Sequence, residues 1–255
     1  MKILVGDTGL IGTTLKESLN FDFLFNTKNM LEFIDKVPDY QELYLSCLPA
    51  TKWLVNNNLK KDIENIYNIL NILTTKKYSK VFLFSTIDVY NDSPFNVNES
   101  YNPNLSKLSY GNNRYLFELL VKEFIDTKNL KIFRLPALFN KHIKKNILFD
   151  LINQNNVESI NSNSQFQWYN LNNLSKDIEE YSSKYPNEIV FNLFPEPIDT
   201  MDIVNLFPKL INNVSFLDNK IVYNFTTQYH NSGYISTKDT VLSEIKELIN
   251  EISGK

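Results

Sequence analysis

The chemistry most plainly written in the sequence sits close to its start. Gly6-Asp7-Thr8-Gly9-Leu10-Ile11-Gly12 places glycines at spacings of three and three, between the apolar run Lys2 to Val5 and the amphipathic stretch Ile11 to Leu19. A strand, a glycine turn and a helix in that order form a seat for a dinucleotide pyrophosphate. Gly6 allows the tight turn, Gly9 lets the backbone approach the phosphates, and Gly12 lets helix and strand pack closely. The helix start adds unpaired N–H groups and a positive dipole end, so Thr8, Gly9, Leu10 and Ile11 join the glycines as cofactor-binding candidates. Glycine is scarce in this chain, with six residues in 255, and three of the six lie in this turn.

Preference between the two nicotinamide dinucleotides is normally set at the end of the second strand, by an acid for NAD or a cation for NADP. That stretch reads Phe25-Asn26-Thr27-Lys28-Asn29, without a carboxylate. Asn26, Thr27 and Lys28 can form a phosphate cradle, so NADP is favoured over NAD, although Lys28 also reads as a solvated surface lysine. After the third strand, Cys47, Leu48 and Pro49 are placed to border the dinucleotide. Taken alone, Cys47 reads as a small buried filler.

These residues need a scaffold, and the hydrophobic pattern supplies one. Strands are expected at Lys2 to Val5, Phe21 to Phe25, Leu43 to Leu45, Val81 to Ser85 and Lys131 to Leu135, with weak strands near Val157 to Ile160, Gln167 to Tyr169 and Ile189 to Leu193. Helical spacing of Ile63, Ile66, Ile69, Leu70 and Leu73 predicts a helix from Leu59 to Thr75. A second runs from Tyr110 to Lys128 with Tyr115, Leu116, Leu119, Leu120 and Phe124 as its apolar face. A last one runs from Leu242 to Ile252, with Leu242, Ile245, Leu248, Ile249 and Ile252 as its apolar residues. Alternating strands and helices give an α/β fold, a doubly wound parallel (Rossmann) sheet with a small C-terminal substrate-binding lobe. The expected division is a dinucleotide-binding core over 1–140, and a region over 141–255 that is mainly substrate lobe with returns to the core sheet.

Composition excludes several other classes. A net charge of −3 gives no general attraction for nucleic acid or anionic lipid. The single cysteine, Cys47, rules out an internal disulfide and paired-cysteine metal clusters, and no metal site is expected. No apolar stretch approaches the roughly 18–20 residues of a membrane span. Met1 to Val5 runs directly into the glycine turn, so neither a membrane nor a signal peptide is expected, and the reading is cytoplasmic. His142 and His230 lack partners at metal-binding spacing.

Three further stretches follow in a recognisable order. Val81-Phe82-Leu83-Phe84-Ser85-Thr86-Ile87-Asp88-Val89-Tyr90 resembles the strand-end segment of the extended short-chain dehydrogenases/reductases, the NAD-dependent epimerase/dehydratase family, in its nucleotide-sugar branch. Glu99-Ser100-Tyr101-Asn102-Pro103 and Leu108-Ser109-Tyr110-Gly111-Asn112-Asn113-Arg114 resemble the loop and helix that carry its tyrosine. Ile132-Phe133-Arg134-Leu135-Pro136-Ala137-Leu138-Phe139 is similar to the strand and loop that follow. Gln165 to Leu174 and Phe191 to Pro197 continue the likeness more weakly, so it covers nearly the whole chain.

The resemblance implies an NAD(P)-dependent reductase or epimerase that acts on a nucleotide-activated sugar by hydride transfer. It makes Tyr110 the acid/base and Thr86 the hydroxyl partner, with Ser85 beside it. A cation must favour the phenolate, and the family has a lysine one helical turn after the tyrosine. Here the position holds Arg114, which keeps the charge but donates in a different geometry to both tyrosine and cofactor ribose. The alternative is therefore a catalytically silent dinucleotide-binding protein of the same fold. Dehydratases of the family carry an acidic pair after the hydroxyl residue. Ile87 and Asp88 stand there instead, which ranks 4,6-dehydration below reduction or epimerisation. Asp88, Arg134 and Trp168 are the substrate-binding candidates, and the resemblance admits a homodimer through the helices after the third and fourth strands.

Overall fold

The computed structural model describes residues 1–125 and 127–254. The first half of the chain runs β1 (Lys2–Val5), α1 (Leu10–Ser18), β2 (Phe23–Phe25), α2 (Phe33–Lys36), β3 (Gln41–Leu45), α3 (Lys52–Asn56), α4 (Leu59–Leu73), β4 (Tyr78–Thr86), α5 (Tyr110–Phe124) and β5 (Leu130–Leu135). The second half runs β6 (Ala137–Phe139), α6 (Ile147–Asn153), β7 (Gln165–Phe166), β8 (Trp168–Asn170), α7 (Leu174–Lys184), β9 (Val190–Asn192), β10 (Ile198–Asp199), α8 (Thr200–Val204) and α9 (Lys238–Ser253). Two compact units result, one of Met1–Pro94, Tyr101–Arg134 and Asn173–Asn192, the other of Phe95–Ser100, Leu135–Asn172 and Leu193–Lys255.

The first unit is built on a six-stranded parallel sheet in the order β2-β1-β3-β4-β5-β9. The order grows outward from β1 in both directions, which is the doubly wound Rossmann-like arrangement expected from the alternation of strands and helices. Strand residues alternate between the two faces. Ile3, Val5, Leu43, Leu45, Val81, Leu83 and Ile132 pack with Ile66, Leu70 and Leu73 of α4 and Phe117 and Val121 of α5. The residues between them form a row of rings, with Tyr44 and Phe82 centred 4.7 Å apart and Phe133 and Phe191 5.4 Å apart.

Helix α5 departs from the expected pattern. Ser109 caps it, accepting a hydrogen bond from the Asn112 N–H at 3.1 Å. It ends at Phe124 rather than Lys128, and Asp126 lies outside the described residues. Of its expected apolar face, Tyr115 is buried, Leu116, Leu119 and Leu120 are half-buried, and Phe124 is 59% exposed. The buried stripe is Tyr110, Gly111, Asn113, Arg114, Phe117, Glu118 and Val121. Charges go to the interior here because each finds a partner of opposite sign, a circumstance that apolar periodicity alone does not register.

The second unit holds two small sheets, β6 with β8 in parallel and β7 with β10 in antiparallel. Gln167 is buried between them with its amide satisfied: Nε2 donates to the Pro195 and Phe225 carbonyls at 2.7 and 2.8 Å, and Oε1 accepts from the Phe225 N–H at 2.9 Å. Val157–Ser159, expected as part of a strand, is a 3-10 turn. Helix α9 buries Ile245 and Leu248 as expected, together with Val241, while Leu242, Ile249 and Ile252 are half-buried. Among the described residues no helix is long and apolar enough to cross a membrane.

Candidate active site

The glycine turn is shaped by contacts that no side chain could share. Gly6 has φ of 96°, and a Cβ on it would lie 2.2 Å from the Ser46 carbonyl oxygen. A Cβ on Gly12 would lie 2.2 Å from the Gly6 carbonyl oxygen. Gly9 differs, because its Cβ would meet only the Gly6 oxygen, at an ordinary 3.5 Å. The protein's own packing therefore does not demand glycine at Gly9, and the open side of the turn is where a Cβ there would stand. Helix α1 begins immediately afterwards with no side chain capping it. An uncapped helix start beside that space fits the phosphates of a dinucleotide.

At the neighbouring strand ends the side chains bond to one another. Asn26 donates from Nδ2 to Asp7 Oδ1 at 2.9 Å and accepts the Lys28 N–H on Oδ1 at 2.9 Å. Its amide therefore shapes the turn instead of standing free as part of a phosphate cradle. Thr27 and Lys28 are exposed. Asp7 is buried, with Lys16 Nζ 3.4 Å from Oδ2, a role that the sequence alone did not assign. Beyond β3, burial pushes the Cys47 thiol up to about 12, which leaves no thiolate at neutral pH. Leu48 is half-buried beside it, and the Pro49 carbonyl accepts a hydrogen bond from Arg114 Nη2 at 2.6 Å.

Tyr110 and the end of β4 are brought together by a glycine. A Cβ on Gly111 would stand 1.9 Å from the Asp88 carbonyl oxygen, so the first turn of α5 lies against the turn that follows Thr86. The Tyr110 N–H donates to Asn56 Oδ1 at 2.8 Å. Thr86 Oγ1 accepts from the Asp88 N–H at 3.2 Å, and Lys52 Nζ pairs with Asp88 Oδ1 at 2.6 Å. Asp88 thus arrives with a cation of its own, which the sequence reading had not assigned.

Arg114 stacks its guanidinium carbon 4.6 Å from the Tyr110 ring centroid. It is 6% exposed and forms a two-pronged pair with buried Asp62 of α4, Nη1 to Oδ2 at 2.8 Å and Nη2 to Oδ1 at 3.1 Å. Burial pushes the Tyr110 phenol up; Arg114 works against this by charge and hydrogen bond, while Asp88 and Asp62 add to it. Asp62 was missed because α4 was read by its isoleucines. The available signal was that an arginine at a lysine's position needs more acceptors.

Ser85 and Arg134 belong to a second, interior network. The Ser85 hydroxyl donates to Glu118 Oε1, and Arg134 donates from Nε and Nη2 to the same carboxylate at 3.0 and 2.6 Å. Arg134 Nη1 donates to the Tyr90 hydroxyl, and Asn192 Nδ2 donates to that oxygen at 3.1 Å. Burial disfavours the Arg134 cation, but Glu118 and Tyr90 more than offset it and hold its pKa above the usual value. At 2% exposure, Arg134 is committed to these partners and not presented to a phosphate. Trp168, in the second unit, is 1% exposed, and its Nε1 has no hydrogen-bond partner among the described residues. Its ring is likewise not presented to a ligand in this conformation.

No protein-family model matches the sequence, and no curated protein matches it significantly. Solved structures do match its fold. A dTDP-4-dehydrorhamnose reductase from Bacillus anthracis, in complex with NADP, is 16% identical with a TM-score of 0.71, covering 98% of each chain. A UDP-glucuronic acid 4-epimerase from Bacillus cereus, in complex with a fluorinated UDP-sugar and NAD, is 16% identical with a TM-score of 0.74, covering 100% of this chain and 99% of that one. MoeE5, in complex with UDP-glucuronic acid and NAD, is 13% identical with a TM-score of 0.76, covering 99% and 98%. The chain therefore shares, along nearly its whole length, the fold of these solved structures.

Proposed function

We propose that this protein is an NAD(P)-dependent reductase or epimerase of a nucleotide-activated sugar, with Tyr110 as its acid/base. The observation that carries the reading is the Arg114 guanidinium held 4.6 Å over the Tyr110 ring, on a helix start that Gly111 seats against the turn after Thr86. When bound, the nicotinamide supplies or accepts the hydride. Tyr110 holds the proton that the sugar oxygen gains or loses, and Thr86 donates to the same oxygen. A phenol pushed up by burial is protonated at neutral pH, which suits giving a proton to a newly reduced oxygen. Asp88 and its partner Lys52 line the substrate side. Arg134 supports the helix from behind, and Trp168 packs within a region over 141–255 that serves mainly the sugar nucleotide.

For the dinucleotide, the form with a 2′-phosphate is favoured by the exposed Thr27 and Lys28, with Asn26 shaping their turn and the Asp7 charge offset by Lys16. A second reading has one observation behind it: Arg114 already spends three N–H groups on Asp62 and Pro49, leaving fewer for a ribose. On that reading the chain binds a dinucleotide without turning it over.

The experiment is titration with NADPH and NADH, followed by turnover on UDP- and dTDP-linked 4-keto sugars. Wild type should bind and oxidise the cofactor, and Tyr110→Phe should lower turnover by about 10²-fold or more. Failure to bind either dinucleotide removes the proposal. Binding without turnover, together with turnover gained in Arg114→Lys, selects the silent reading.

A further inference from the structure

Asp62 lies in the first turn of α4 and is almost wholly buried. A carboxylate there without a partner would be strongly destabilising. It has three donors: Arg114 Nη1 and Asn113 Nδ2 on Oδ2, at 2.8 and 2.9 Å, and Arg114 Nη2 on Oδ1, at 3.1 Å. The other Nη2 hydrogen goes to the Pro49 carbonyl at 2.6 Å. A guanidinium is a rigid plane, so bonds to acceptors on two separate elements fix its position and its tilt. Its central carbon lies over the Tyr110 ring, 4.6 Å from the centroid. An ammonium at the same place is a point donor and could not span the carboxylate and the carbonyl in one plane.

We propose that Asp62 acts on the acid/base through Arg114: it balances the charge of the guanidinium that lies beside Tyr110, which the Pro49 carbonyl also anchors, and so keeps the phenol protonated. This rests on the reading of Tyr110 as the proton carrier. The charged groups around the phenol are Arg114 on its own helix, Asp62 on α4, and Asp88 after β4, which is paired with Lys52 on α3. With Asp62 in place, the positive charge beside Tyr110 is answered by a carboxylate and does not need a phenolate. Without Asp62, the phenolate becomes the available counter-ion. The arginine of this chain is therefore half of a unit whose other half is Asp62, and replacing either alone alters the acid.

The test follows Tyr110 directly, by NMR of protein labelled with ¹³C at the tyrosine Cζ, with the resonance identified by its loss in Tyr110→Phe. In wild type Tyr110 should stay protonated to about pH 10 or beyond. In Asp62→Asn, which keeps the shape and one acceptor, it should begin to titrate at least about one pH unit earlier. The same drop is expected in Asp62→Asn/Arg114→Lys, whose smaller cation asks for fewer acceptors and guards against failure of the single variant to fold. A titration unchanged or moved upward in whichever variant keeps its far-UV circular dichroism overturns the proposal. The measurement uses neither dinucleotide nor sugar. Nicotinamide fluorescence on the same samples reports dinucleotide binding separately, so loss of the functional reading and loss of this inference are told apart.

Discussion

The glycine turn and the start of α5 solve the same problem, holding polar groups ready at the ends of parallel strands, by opposite means. The turn achieves it by leaving side chains out. Gly6 and Gly12 remove Cβ atoms that would otherwise strike backbone at 2.2 Å, and the uncapped start of α1 offers its amides. The start of α5 achieves it by putting charges in: Arg114 on Asp62 and, one turn later, Glu118 on Arg134. A site made of backbone tolerates little added volume, whereas a site made of buried ion pairs tolerates little lost charge.

That contrast can be broken at either end. The largest effect is expected on the charged side. Glu118→Ala leaves Arg134 buried without its carboxylate and should cost about 3–5 kcal/mol, read as a lowered urea midpoint; a loss under about 1 kcal/mol would show that the network is not needed. On the turn side, Gly12→Ala should cost about 1–3 kcal/mol, because its Cβ meets backbone that cannot move aside. Gly9→Ala, with room for its Cβ, should stay within about 1 kcal/mol of wild type in stability while weakening dinucleotide binding. Equal stability losses in the two glycine variants would contradict the division of labour within the turn.

The smallest effect is in pH. Burial holds Tyr44, Tyr78, Tyr110, Tyr115 and Tyr234 above their ordinary value. Their unfolded phenols release protons near pH 10 that the native ones keep, so their contribution is whole below that pH and is lost as pH rises through the folded values. Urea midpoints should therefore be insensitive to these groups near neutrality and fall above about pH 10. Tyr110→Phe should flatten that fall slightly, and the glycine variants, which touch no tyrosine, should leave its slope alone.

Legibility in the sequence followed the same division. Steric demands of the turn appear directly as glycines at fixed spacing, and strands buried on both faces appear as apolar runs, so β1, α1 and a doubly wound parallel sheet could be anticipated. The face of α5 could not, because Arg114 was read only as the partner of Tyr110 and Glu118 had no reading on a helix whose leucines lie elsewhere. Their partners are 52 residues before and 16 residues after them. Asp62 had no reading and Arg134 was read as a substrate ligand; only the fold gives each its partner on α5. Ser85 and Thr86 are neighbours in sequence, but strand alternation turns them to opposite sides, one to Glu118 and the other to Asp88. Gly111 stood within a quoted motif, yet its reason, the approach to the Asp88 carbonyl, is visible only in three dimensions.

The two ion pairs on α5 also constrain how the chain can reach this state. Arg114 needs a carboxylate from α4, made earlier in the chain, and Glu118 needs a guanidinium from β5, made later. A helix docked on one neighbour alone would bury a charge that has no answer, so partial docking carries a penalty at either end. Helix α5, α4 and β5 should accordingly come together, and come apart, as one cooperative piece. The residues that hold Tyr110 in register would then also make its displacement an all-or-none event, without a loosened intermediate in which it stands half in place.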